Sequence, residues 1–146
     1  MDTLRDPSPR RVLLAVDQRS AAKGSVDEAI RLARADNAEL IVLSVLERSN
    51  LHLPGGLTRR VDQERDRLET GARTIVGRAR DAGVAATYLI WEGDPAETIL
   101  EASSAEGADV IVLGSRPRTD LRKLLLGSVS SQVTRTAPCT VVVVPN

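Results

Sequence analysis

Aromatic residues are almost missing from this chain: Trp91 and Tyr88 stand alone, and there is no Phe among 146 residues. Proteins that hold single-stranded nucleic acid stack its bases on aromatic platforms, and that platform is lacking here. An excess of charge of one sign is lacking too, because 20 Lys and Arg are matched by 20 Asp and Glu. Partners held by counterion release, such as DNA or an anionic membrane, call for a basic surplus. The single cysteine, Cys139, excludes an intramolecular disulfide framework and every multi-cysteine zinc pattern. The single histidine, His52, leaves no histidine cluster for a metal and argues against a histidine-based triad. No apolar run approaches the roughly 20 residues of a membrane helix, and the opening MDTLRDPSPRR has no apolar stretch of the secretory kind. Together these absences point to a soluble cytoplasmic protein with neither nucleic acid nor membrane as partner.

What is present is a hydrophobic fraction of 42%, supplied by Val, Leu, Ile and Ala, enough for the core of one domain. Residues 1–9, rich in Pro and charge, read as a mobile tail, which leaves 10–146 as the domain. Short apolar runs at Arg11–Asp17, Glu39–Leu46, Val84–Trp91, Ala108–Leu113 and Thr140–Val144 read as strands, the third of them edge-like. Helical periodicity falls between them. The first helix starts at Ser20 or Ser25, either of which can cap it. A long polar helix follows from about Thr58 to Ala82, and Gly83 is placed to end it. The third opens at Asp94-Pro95-Ala96-Glu97, with Asp94 as N-cap, Pro95 at N1 and Glu97 at N3, and Gly107 closes it. The last runs from Gly127-Ser128 to about Thr136.

Strands alternating with helices require crossovers, so the expected fold is α/β: a doubly wound, five-stranded parallel sheet of order 3-2-1-4-5. The chain reverses its direction of travel between strands one and four, and a crevice opens at their carboxyl ends, beside Asp17 and Gly114. Ligands of open α/β sheets bind in that crevice. Asp17 either orients a ligand hydroxyl there or caps the turn after strand one.

The stretch Gly114–Ser130, GSRPRTDLRKLLLGSVS, carries the chemistry. A glycine at a strand end admits close backbone approach. Gly127-Ser128 opens a helix whose free N–H groups and positive dipole end favour phosphate. Ser128 and Ser130 add hydroxyls, and Arg116, Arg118 and Lys123 can neutralise charge. The same residues also read as a glycine turn, a polar loop and an ordinary capping serine. Neither a GxxxxGK[ST] loop nor a GxGxxG fingerprint is present. His52 sits in a Gly/Pro loop and reads as solvated surface, and Cys139 as small packing filler. Trp91 and Tyr88 read as packing or a partner contact. The Arg-rich second helix also carries Asp62, Glu64, Asp66, Glu69 and Asp81, the mixed pattern of a salt-bridged solvated face.

VLLAVD, ELIVLSVL, GDPAETIL, ADVIVLGS, LLLGSVSSQV and APCTVVVVP, in that order and spacing, resemble the universal stress protein family over most of the chain. Its nucleotide-binding members carry G-x-x-G, nine residues, then G-[ST] after the fourth strand. Gly114 matches the first glycine, residues 118–126 are the nine, and Gly127-Ser128 match the close. The resemblance implies an adenine nucleotide, ATP first, with or without Mg. Asp17 would lie near the ribose, backbone at Val45 would read the adenine edge, and Leu113 would pack near base or sugar. Gly114 and Gly127 would bring backbone N–H groups to the phosphates, and Ser128, Val129 and Ser130 would donate to phosphate oxygens. The resemblance further implies a homodimer paired through the last strand, Thr140–Val144, with Pro145 ending the ladder.

One motif position departs. Pro117 stands where the family has its second glycine. Proline has no N–H and holds φ near −65°. If that position touches phosphate, the lost donor weakens ATP by about 1.5–3 kcal/mol, about tenfold or more in affinity. Two functions follow: a dimeric nucleotide-binding regulatory or stress-response module, or a dimeric interaction module whose pocket Pro117 has disabled. With no identifiable general base and no Walker-type lysine, catalysis would extend at most to slow ATP hydrolysis.

Overall fold

A computed structural model describes residues 10–16, 23–47, 57–115 and 128–145. Among them are β1 (Arg11–Val16), α1 (Lys23–Ala35), β2 (Glu39–Glu47), α2 (Leu57–Asp81), β3 (Ala86–Gly93), α3 (Pro95–Ala105), β4 (Val110–Ser115), α4 (Ser128–Thr136) and β5 (Thr140–Pro145). The strands form one sheet of order β3-β2-β1-β4-β5, every neighbouring pair parallel, which is the expected architecture. The expected tail, 1–9, lies outside the described residues. No helix among those described is long and apolar enough to cross a membrane.

Strand residues alternate between two faces, and both faces are covered. Val12, Leu14, Leu40, Val42, Ala86 and Val112 pack with Val26, Ala29 and Ala33 of α1 and Ala72, Val76 and Ala79 of α2. Leu13, Ile41, Leu43, Ile111 and Leu113 pack on the other face with Ala96, Ile99 and Ala102 of α3 and Val133 of α4. Double burial explains why β1 and β2 read as unbroken apolar runs.

Three helices end alike. After α2, the Gly83 N–H donates to the Arg80 carbonyl at 2.9 Å and the Val84 N–H to the Ala79 carbonyl at 2.9 Å, with Gly83 at φ 85. The pair of bonds is a Schellman motif. It recurs after α3, where Gly107 N–H meets the Ser104 carbonyl and Ala108 N–H the Ser103 carbonyl. After α1 the left-handed position falls to Asn37, at φ 54, whose side chain tolerates that conformation. These caps shift two strand starts. Val84 and Ala108 are still engaged by the preceding helix, so β3 starts at Ala86 and β4 at Val110, each two residues later than the apolar pattern suggests. At the other end of α3, the Asp94 carboxylate accepts from the Glu97 N–H at 3.2 Å and Pro95 begins the helix, as read from the sequence. Ser25 is not a cap. It is fully buried within the first turn of a helix that begins at Lys23, and the other candidate, Ser20, lies outside the described residues.

The amino ends of the central strands are stitched together. Arg11 N–H donates to the Asp109 carboxylate at 2.9 Å, and Asp109 N–H returns a bond to the Arg11 carbonyl at 2.8 Å. The Arg11 guanidinium donates to the Glu106 carbonyl at 2.7 Å and lies 3.2 Å from Glu39.

Candidate functional site

The carboxyl ends of β1 and β4 form the opposite rim, where the chain leaves β1 for α1 and β4 for α4 on opposite faces. Parallel register lines up the residues below it. Leu113 pairs with Ala15, Ala15 with Leu43 and Leu43 with Leu89. This row of four runs across the sheet on the α3/α4 face. One row nearer the rim, Val45 pairs with Trp91.

Of the ten residues singled out from the sequence, six are described. Leu113 is buried at 3% exposure and forms part of the cluster beneath α3 and α4, while Val45 and Val129 are half-buried against the same cluster. All three therefore border one apolar cluster on the α3/α4 face. Gly114 is half-buried near the end of β4, in register with Val144. Ser128 is the exposed first residue of α4, and Ser130, two residues on, is buried. The remaining four, Asp17, Arg116, Arg118 and Gly127, lie outside the described residues, as do Pro117, Lys123 and His52.

The α4 amino terminus has no acidic residue in its first turn to oppose the helix dipole, as is also true of α1 and α2. The N–H groups of a helix's first turn have no partner inside the helix. By contrast, α3 has the Asp94 cap and Glu97 in its first turn, so its dipole end already faces carboxylates. The far end of α4 is secured by the Thr134 hydroxyl, which donates to the Ser130 carbonyl at 2.7 Å, and by the Ala137 N–H, which donates to the Val133 carbonyl at 2.8 Å. Among the described residues, the α4 start thus has no acidic residue in its first turn, and its Val129 packs against the same apolar cluster as Val45.

Two other features bear on this assignment. Cys139 is half-buried against the α3/α4 cluster. Burial, and then the nearby Asp109 carboxylate, push its thiol pKa up, so it packs as a neutral group and is not an activated nucleophile. A shallow depression bounded by Asp27, Ile30, Arg31, Arg34 and Ala35 lies along α1, on the other face. There Arg31 is paired with Glu28 and Asp27 with Arg78, so those two charges already have partners. Sequence reading left Trp91 among the packing and partner residues. Its place beside Val45 was recoverable only by aligning β2 with β3, since 46 positions separate the two in the chain.

Residues 9–145 match the model of the Universal stress protein family. A universal stress protein of Thermus aquaticus is 37% identical over 141 residues, spanning 92% of this chain and 98% of its own. The solved universal stress protein UspA from Lactobacillus plantarum superposes with a TM-score of 0.81 at 26% identity, covering 95% of this chain and 99% of that one. A universal stress protein from Archaeoglobus fulgidus, solved in complex with dAMP, has the same fold, with a TM-score of 0.70 at 22% identity and coverage of 92% and 97%.

Proposed function

Given that the chain belongs to the universal stress protein family, we propose that it is a dimeric nucleotide-binding regulatory module, with ATP as its first ligand. The observation that carries this reading is the α4 amino terminus: a helix start without an acidic residue, set beside the floor formed by Val45, Leu113 and Val129. The dAMP held by the Archaeoglobus fulgidus relative supports an adenine nucleotide as the ligand class. In this reading the base lies over that floor, with backbone at Val45 at its edge and Asp17 near the ribose. The first-turn N–H groups of Ser128, Val129 and Ser130, and the backbone at Gly114 and Gly127, receive the phosphates, and Arg116 and Arg118 neutralise their charge. Any Mg enters with the triphosphate. The response is a ligand-linked change in the segment 115–126 and in the dimer surface, in the cytoplasm.

The dimer is proposed to form through Thr140–Val144. β5 is an edge strand whose four valines, Val141 to Val144, are half-buried in the isolated chain. Such an edge recruits a partner strand unless protected. Sedimentation at micromolar concentration should show the dimer, and a monomer alone would defeat that part of the proposal.

Pro117 favours a second reading, in which the fold and dimer persist as an interaction module without a ligand. Calorimetric titration with ATP–Mg, AMP and cyclic AMP separates the two. Nucleotide binding predicts that Ser128→Ala weakens ATP and that Pro117→Gly tightens it about tenfold, the worth of one hydrogen bond to a charged group. No heat of binding at millimolar nucleotide would select the interaction module. Binding indifferent to both substitutions would remove the phosphate assignment.

A further inference from the structure

We propose that Trp91 is a wall of the base site: its indole contacts the adenine ring and contributes to selecting a purine. The inference rests on the nucleotide reading above and adds to it a residue on a different strand from any of those assigned there. Four observations converge on it. Trp91 is the register partner of Val45, so their Cα atoms stand about 5 Å apart across adjacent strands. Both side chains lie on the α3/α4 face and pack against the same apolar cluster as Leu113 and Val129. Trp91 is only half-buried there, so part of the residue stays available beyond its packing. And β3 is the edge of the sheet, so no further strand covers the indole's outer side.

The second aromatic residue argues by contrast. Tyr88 lies on the opposite face, packed against the α1/α2 cluster, and its hydroxyl donates to Glu69 at 2.7 Å and accepts from Arg73 at 3.3 Å. The fold thus commits one aromatic to a polar latch and sets the other, half-buried, on the face that carries Val45, Leu113 and Val129. Base–aromatic contacts in nucleic-acid grooves are worth about five- to a hundredfold in affinity per ring, and a partly open indole falls at the low end of that range.

Because Trp91 is the sole tryptophan, emission excited at its red edge reports this position alone. Titration of the full chain with ATP should shift that emission with the midpoint found by calorimetry, and bound ATP should shield the indole from acrylamide quenching. Trp91→Leu should weaken ATP about five- to tenfold, whereas Trp91→Phe, which keeps a ring, should stay within about threefold of wild type. Thermal melts of both variants check that they fold. Calorimetric binding of ATP with emission and quenching unchanged would overturn the Trp91 assignment and leave the nucleotide site standing. No calorimetric binding of any nucleotide to the wild type would overturn the site itself, and this contact with it.

Discussion

The two faces of the sheet are equally dry but differently held. On one side α2 runs for 25 residues, about 37 Å at 1.5 Å per residue, and outreaches the eight-residue strand β3 beneath it. That face is fastened by polar ties. Arg73 pairs with Glu69 at 2.8 Å, Tyr88 joins them, Arg80 donates to the Ala86 carbonyl at 2.9 Å, and Arg65 approaches Glu92 at 3.8 Å. On the other side α3 and α4 have 11 and 9 residues, and their hold is chiefly apolar. The mixed charges of α2 pattern as a salt-bridged solvated face, with Arg67–Glu64 and Arg73–Glu69 paired along the helix, and Arg65, Arg73 and Arg80 also reach β3. The apolar residues proposed to meet a ligand, Val45, Trp91, Leu113 and Val129, sit on the face with the short helices. One face is held by polar ties as well as packing, and the other chiefly by packing.

The strongest way to break this division is to injure both faces equally. Leu14 and Leu113 are both essentially buried, one on each face, so Leu14→Ala and Leu113→Ala should each cost about 2–5 kcal/mol in denaturant unfolding. Only Leu113→Ala should weaken ATP in the protein that remains folded, and equal loss of affinity in both variants would erase the distinction. A somewhat smaller effect belongs to Gly93, which ends β3 at φ 151. A Cβ there would come within 2.6 Å of Thr98 Oγ1. Gly93→Ala should cost about 1–3 kcal/mol, combining the unfavourable φ with the clash. Adding Thr98→Ala should recover only the part due to the clash, and full recovery would show that the backbone angle matters little.

The smallest effect tests the polar latch on the fastened face. The Tyr88 hydroxyl first, and the Arg73 charge after it, hold the Glu69 carboxyl below its ordinary pKa. A carboxyl depressed in the folded state stabilises the fold above its unfolded pKa, and that contribution is lost as pH falls through the folded value. Tyr88→Phe removes the largest cause. Wild type should therefore exceed the variant in stability at pH 7, with the gap narrowing toward pH 3. A gap that stays constant across that range would assign the hydroxyl to packing and not to the carboxylate.

Much of this was legible in the sequence because it is encoded locally. Asp94-Pro95-Ala96-Glu97 announces a helix start through cap chemistry, and Gly83 and Gly107 announce ends through the left-handed angle they accept. The alternation of short apolar runs with helices, joined to the handedness of crossovers, leaves a doubly wound sheet, of which 3-2-1-4-5 is the simplest order. Asn37 performs the same duty as the two glycines but carries no comparable signal, since asparagine is equally at home in any turn. Ser25 looked like a cap because hydroxyls prefer that position, yet it is held inside the first turn. The floor residues Val45, Leu113 and Val129 came through resemblance to a family motif. The pairing of Val45 with Trp91 came through neither route, because register between strands depends on where each strand starts, and the cap after α2 moves that start by two residues.

The bonds between Arg11 and Asp109 join positions 98 residues apart, and this has a consequence for synthesis of the chain. β1 can meet β2 early, but its other neighbour, β4, is made roughly 5–20 s later at ordinary ribosomal speeds. Throughout that interval one of the most apolar strands in the protein has a free edge. The nascent chain is thus most vulnerable to misassociation before residue 110 has emerged, and a stalled or truncated product ending in α3 should be an aggregating species even though it carries three of the five strands.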